Sequence, residues 1–275
     1  LTAQALIDCA RTGLVAELIS MPLTGATSPV TLAGAVAQHC AESLSGVVIH
    51  QLAEAGAPIV YGGSPACFDM RKGTTPMGAI ETMMIDGAYA EIGKHLGLPV
   101  QAYMALSDSK LPDYQAGMET AMGAVIAALS GVNNVSGPGM LDFESCQSLE
   151  KLVLDNEICG MALRLASGIE LREDPILPPE LMREGIERGS FLVLAHTMRW
   201  FRKEVYFPGD VIDRSALDEW QRQGGKDALR RASERVETIL AARAEAPLET
   251  AIAAHLRGLM EREAKRYGMD VLPGE

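Results

Sequence analysis

The chain has 275 residues, long enough to bury a large core and so to be an enzyme. Its 24 basic and 36 acidic residues leave a net charge of −12, which argues against nucleic acid or an anionic membrane as the main partner, because phosphates need clustered cations. Cys9, Cys40, Cys67, Cys146 and Cys159 form no CxxC pair and no Cys/His metal spacing, and they read as buried thiols of a cytoplasmic protein. Charge or His interrupts each apolar stretch before the roughly 18 residues of a membrane span, and no signal segment opens the chain. It begins at Leu1 rather than Met, as a processed or truncated product would.

Residues 15–23 form the first short apolar segment, and an Ala-rich stretch with helical spacing follows over 31–55. The pairing repeats as 57–63 with 77–96, 98–106 with 113–130, and 132–136 with 145–167. Each short segment reads as a buried strand and each long one as a helix. The strand starts at 15, 57, 98 and 132 lie 42, 41 and 34 residues apart, which fits successive right-handed βα units. Gly56-Ala57-Pro58-Ile59 is echoed by Gly97-Leu98-Pro99-Val100, with Gly ending the helix and Pro starting the strand. This order predicts an α/β fold with a parallel sheet, either a barrel or doubly wound.

After Gly168 the character changes. Residues 169–179 carry three prolines and no period, a connector. From Glu180 the chain is helical and charged, with loops at Tyr206-Phe207-Pro208-Gly209 and Gly224-Gly225. Its last helices, 226–243 and 247–267, present a solvated face and a thin apolar stripe of Leu229, Val236, Ile239 and Leu240. The expected division is 1–168 for the repeating units and 169–275 for a helical extension.

In parallel α/β folds the ligand site lies at the carboxyl ends of the strands. Four loops qualify. The first holds Thr24 and Gly25 ahead of a helix start able to bind an anion, or simply capped. Tyr61 and a possible Asp69/Arg71 pair belong to the second, which reads slightly better as a surface pair. The third, Ser107-Asp108-Ser109-Lys110 with Asp113 and Glu119, is densest in polar chemistry: carboxylates there could hold Lys110 in a polar pocket. In the fourth, Gly137 and Gly139 can approach a ligand closely, with Asp142, Phe143 and Glu144 behind. No G-x-S-x-G, Walker loop, H-E-x-x-H or GxGxxG occurs, which lowers serine-hydrolase, nucleotide, zincin and dinucleotide readings. The five histidines are scattered, and no metal site is expected.

The runs Met21-Pro22-Leu23-Thr24-Gly25-Ala26-Thr27, Phe68-Asp69-Met70-Arg71 and Ser107-Asp108-Ser109-Lys110 with Asp113 and Gln115-Ala116-Gly117 resemble the trimethylamine methyltransferase family. Glu150-Lys151-Leu152-Val153, Asp155-Asn156-Glu157, His196-Thr197, Asp213-Arg214 and Trp220 follow the same pattern. They match the C-terminal half of a typical member. The resemblance implies a (β/α)8 TIM-barrel fold, of which about four βα units, a half barrel, are present with the helical extension. It also implies methyl transfer, in methylamine metabolism and methanogenesis, from a tertiary or quaternary methylamine to the cobalt of a corrinoid protein. The corrinoid (cobalamin) is carried by that partner, and this chain binds no cofactor directly. With only standard residues here, the non-pyrrolysine, glycine betaine-like quaternary-amine group is favoured.

A quaternary nitrogen needs no activating group, so the protein would supply position and a dry cavity. Carboxylates Asp69, Asp108, Asp113, Glu119 and Glu144, with aromatics such as Tyr61 and Phe143, are the candidates for the cationic end; Arg71 or Lys110 would take a substrate carboxylate. No residue is assigned to the chemical step. Two other readings stand beside this one: another TIM-barrel enzyme binding an anionic small molecule, and a non-catalytic half barrel acting by oligomerisation. Open sheet edges make a homo-oligomer the expected assembly.

Overall fold

The computed structural model describes residues 2–242 and 248–272. Helix α1 (Thr2–Thr12), which the sequence reading left out, precedes strand β1 (Ala16–Ser20), short β2 (Leu23–Thr24) and helix α2 (Leu32–Ala53). Next come β3 (Ile59–Gly63), β4 (Ala66–Cys67) and α3 (Ile80–His95), then β5 (Gln101–Ala102) and α4 (Tyr114–Leu129). Strand β6 (Asn134–Val135), a hairpin of β7 (Met140–Leu141) and β8 (Cys146–Gln147), and α5 (Leu149–Ala166) complete the repeating part. The remaining elements are helices: α6 (Pro179–Arg188), α7 (Ala195–Glu204), α8 (Leu217–Arg222), α9 (Ala228–Ala241) and α10 (Thr250–Arg266). The expected helix end at 243 and start at 247 lie outside the described residues.

The four expected strands pair in parallel and in chain order. Ala16–Ser20 of β1 lies against Ile59–Gly63 of β3, and β2 with β4 prolongs that ladder. Tyr61 bridges Val100, and β5 pairs with β6. The Pro58 carbonyl accepts from Ala16 N, and the Pro99 carbonyl from Tyr61 N, so each echoed proline contributes the group it still has. Sequential parallel neighbours, each joined by a helix, are the βα repeat that the 42, 41 and 34 spacings predict.

Side-chain alternation along β3 divides two layers. Tyr61 is fully buried on the helix side in a cluster with Ala35, Met83, Ile85 and Tyr89. His39 of α2 stacks on Tyr89 at 4.3 Å and meets the Gly62 carbonyl at 3.1 Å. Burial lowers its pKa to about 4, so the ring is neutral. Helix α2, at 22 residues and mean hydropathy 1.2, is long and apolar enough to cross a membrane by length and composition, although His39, Glu42 and His50 interrupt it. Here it lies along β1 and β3 with Ala35, His39, Ser43 and His50 buried.

The most extensive helix pairing is α4 with α5. At its centre Lys151, 1% exposed, donates to Thr120 Oγ1 at 2.8 Å and to Asp155. Asp155 in turn accepts from Gly139 N at 2.7 Å. The pair therefore fixes the loop after β6 to the helix layer. Two compact units divide the chain at Val236/Glu237. The cysteines correct one expectation: Cys9, Cys40, Cys67 and Cys159 are half-buried and Cys146 is exposed, all as free thiols.

Candidate active site

The loops after β5 and β6 close on each other. Ser107 N donates to the Met140 carbonyl at 3.2 Å and Asp142 N to the Ser109 carbonyl at 3.0 Å. Asp108, 8% exposed, accepts from Met77 N at 2.8 Å and Gly78 N at 3.0 Å, which brings in the segment between β4 and α3. Burial raises the Asp108 pKa, with Glu119 adding to the rise; the two backbone bonds oppose it. Glu119 accepts from Ser107 Oγ at 2.6 Å, Asp108 N at 2.9 Å and Gln115 Nε2 at 2.9 Å, and so braces the loop. Asp113 caps α4, accepting from Ala116 N at 3.1 Å and Ser109 Oγ at 3.0 Å, bonds that lower its pKa.

Lys110 reaches the fourth loop. Its Nζ donates to the Asp108 carbonyl at 2.6 Å, lies 3.2 Å from Asp142 Oδ1 and sits 3.8 Å over the Phe143 ring. One carboxylate and a carbonyl hold it, rather than the several carboxylates expected. Asp142, Phe143 and Glu144 have φ of 50°, 56° and 70°, three adjacent non-glycine residues in the left-handed region. Each costs about 1–2 kcal/mol there, so the surrounding contacts must impose the shape. Glu144 Oε1 is buried with no hydrogen-bond partner. Desolvation and the nearby Asp108 raise its pKa to about 7.

The other candidates fall elsewhere. Asp69 and Arg71 form a bidentate pair, Arg71 Nε to Oδ1 at 3.1 Å and Nη2 to Oδ2 at 2.9 Å, with the arginine side chain 88% exposed. Arg71 holds the Asp69 pKa down to about 2. This is the surface pair that the sequence slightly favoured. Tyr61 packs in the helix-side core, away from the loops, because its strand position faces α2 and α3. Thr24 is buried and Gly25 lies in a tight turn on the Leu23 carbonyl, which accepts from Ala26, Thr27 and Ser28 N, each at 3.0 Å. The close approach that Gly137 permits is to the chain itself: a Cβ there would stand 2.1 Å from the Met104 carbonyl oxygen. Gly139 spends its N–H on Asp155.

Asp86 escaped the sequence reading. It is 1% exposed on α3, Oδ1 has no partner, and burial together with Glu144 pushes its pKa well up. The signal was present: Thr82, Asp86, Tyr89 and Gly93 follow the buried helical stripe, where an acid is out of place. Beside the mouth, a cavity of about 440 Å³ lies between α4, α5 and the start of α9, lined by Asp113, Lys151, Leu154, Asp155, Ile158 and Leu229 among others.

A βα repeat whose strand-end loops bring Asp108, Lys110 and a strained turn together defines an α/β protein with its polar groups gathered at the carboxyl ends of its strands. Residues 1–268 match the family model of trimethylamine methyltransferase (MTTB). The chain is 36% identical over 266 residues to a trimethylamine methyltransferase of Methanosarcina barkeri, covering 96% of this chain and 53% of that protein. It is 33% identical over 267 residues to the trimethylamine methyltransferase of Desulfitobacterium hafniense, covering 97% and 53%. To a glycine betaine methyltransferase of the same species it is 33% identical over 265 residues, covering 96% and 55%. The chain belongs to the trimethylamine methyltransferase family, and it spans about half the length of these relatives.

Proposed function

We propose that the chain is the C-terminal half of an amine methyltransferase, moving a methyl group from a quaternary or tertiary methylamine, glycine betaine-like, to the cobalt of a corrinoid protein. The observation that carries this reading is buried Asp108, with the unpartnered Oε1 of part-buried Glu144, at the strand ends of a chain in this family. Carboxyl oxygens shielded from water favour a cationic guest. The C–N bond breaks with its electron pair left on nitrogen, so a quaternary substrate departs as a neutral amine. A reduced corrinoid carried by the partner supplies the nucleophile. This chain's part is position and exclusion of water. Lys110, whose side chain is 59% exposed, is placed to exchange Asp142 for a substrate carboxylate.

The architecture in this reading is half of a (β/α)8 barrel over residues 1–168 with a helical extension over 169–275. Support comes from the sequential strand order and from the half-length match. The free thiols accord with a cytoplasmic setting. The test supplies the protein, together with the remaining half of the barrel, with a cobalt(I) corrinoid protein and a panel of trimethylamine, glycine betaine and related betaines. Methyl-cobalt absorption should appear with at least one donor. Silence across the whole panel sinks the reading.

A further inference from the structure

The cavity of about 440 Å³ between α4, α5 and the start of α9 is a built space. Lys151 and Asp155 line it as a pair, each side chain 2% exposed. Leu154 and Ile158 of α5 and Leu229 of α9 give it apolar walls, and Ile212 joins them from the loop before α8. Arg231 of α9 fixes that loop. Its Nε donates to the Val211 carbonyl at 3.1 Å and its Nη1 to the Lys226 carbonyl, which also accepts from Trp220 Nε1 at 2.9 Å. The lining is thus held by hydrogen bonds that need no occupant.

Gly117 keeps the space open. It lies within α4 and lines the cavity, and a Cβ added there would meet nothing within 4 Å. Its backbone is helical, so no unusual dihedral requires glycine, and the residue costs a helix about 1 kcal/mol relative to alanine. Volume is what the missing side chain provides. The charges around that volume do not cancel. Lys151 neutralises Asp155. Asp113 and Asp227 are engaged by backbone amides instead, Ala116 N at 3.1 Å and Arg230 N at 2.7 Å, as caps of α4 and α9. Each helix end contributes about +0.5, so the two caps together keep about one negative charge.

We propose that this cavity binds an organic monocation with a hydrocarbon body, its head toward Asp113 and Asp227 and its chain against Leu154, Ile158 and Leu229. The volume suits a small molecule, and the mostly apolar wall suits its body. An anion would meet the charge of the caps, and a neutral molecule would leave that charge unpaired. The site is separate from methyl transfer at the mouth but touches it through two bonds. Asp113 accepts from Ser109 Oγ at 3.0 Å in the third loop, and Asp155 from Gly139 N at 2.7 Å in the fourth. An occupant that holds these carboxylates in place steadies both loops.

Calorimetric titration of the chain with hexylammonium, hexanol and hexanoate tests this. Hexylammonium should bind, and the other two at least about tenfold more weakly. Gly117→Leu, which places a side chain in the space, should weaken hexylammonium at least about tenfold while the circular dichroism stays that of the wild type. Asp227→Asn keeps an N-cap and loses the charge, and should weaken it about threefold without lowering Tm. Glycine betaine should not displace hexylammonium, and amide exchange at Gly139 should slow when hexylammonium is bound. No hexylammonium binding, equal binding of hexanol or hexanoate, displacement by glycine betaine, or a folded Gly117→Leu that binds as the wild type does overturns the proposal. If Gly117→Leu does not fold, Asp227→Asn decides: unchanged affinity removes the cationic head. Binding that leaves Gly139 exchange unchanged removes the link to the mouth. None of these readouts uses methyl transfer to cobalt(I), so failure here leaves the methyltransferase reading standing.

Discussion

Glu144 and His39 leave opposite marks on stability. The Glu144 carboxyl has its pKa raised from 4.5 to about 7, so across that window the folded chain holds more proton than the unfolded one and stability falls as pH rises. His39 is depressed from 6.5 to about 4, and the stability of its neutral ring is lost as pH falls through that range. At about 1.4 kcal/mol per unit, each effect is at most ~3.5 kcal/mol, and between about pH 4.5 and 6.5 they oppose. Glu144→Gln should therefore give a Tm that climbs more steeply with pH over this range than the wild type. Parallel profiles in thermal denaturation would show that Glu144 titrates normally. At α4, Asp113→Ala removes the cap on Ala116 N and should cost about 0.5–2 kcal/mol in chemical denaturation.

Among the elements, α5 carries the decisive buried ion pair. Lys151→Met leaves Asp155 charged and unpaired in the α4–α5 layer, a loss of about 3–5 kcal/mol. The Gly139 amide, held by Asp155, should then exchange its hydrogen faster. Replacing both residues, Lys151→Met with Asp155→Leu, should recover most of the stability yet leave Gly139 unprotected; full recovery of its protection would mean that the loop holds itself. Much of this level was legible in the sequence. Helices α2 to α5 fall within the four periodic stretches, because long apolar stripes average out local exceptions. Of the β7–β8 hairpin, β8 falls within the expected 145–167 helix and β7 within the fourth loop, since two-residue strands carry no period. Site chemistry was less legible. Asp108, Lys110 and Phe143 come together from the loops that the sequence singled out, whereas buried Asp86 lies on a helix flank that strand-end reasoning does not inspect.

For the molecule as a whole, the first strand is informative. On β1 and its flanks Val15, Glu17, Ile19 and Met21 all lie exposed on one side, Ile19 by 44% and Met21 by 49%, while Ala16 faces the core. Such a stripe calls for cover, and in a barrel the preceding half supplies it. On the half-barrel proposal, Ile19→Lys should leave the circular dichroism of this chain unchanged while abolishing its association with the proposed other half in size-exclusion chromatography. Undiminished association would place the covering surface elsewhere. The sequence order of strands announced a parallel sheet, but only their spatial order β1-β3-β5-β6 disfavours the reversal of a doubly wound sheet.

The turn at Asp142, Phe143 and Glu144 bears on what selection has tolerated here. A backbone that prefers glycine at three adjacent positions carries two acids and an aromatic ring instead. A chain refined for robustness alone would not keep them. Glu144→Gly, which relieves both the left-handed strain and the desolvated carboxyl, should raise Tm, the usual signature of a residue retained at stability's expense for what it does. A lower Tm would mean that Glu144 supports the fold rather than burdens it.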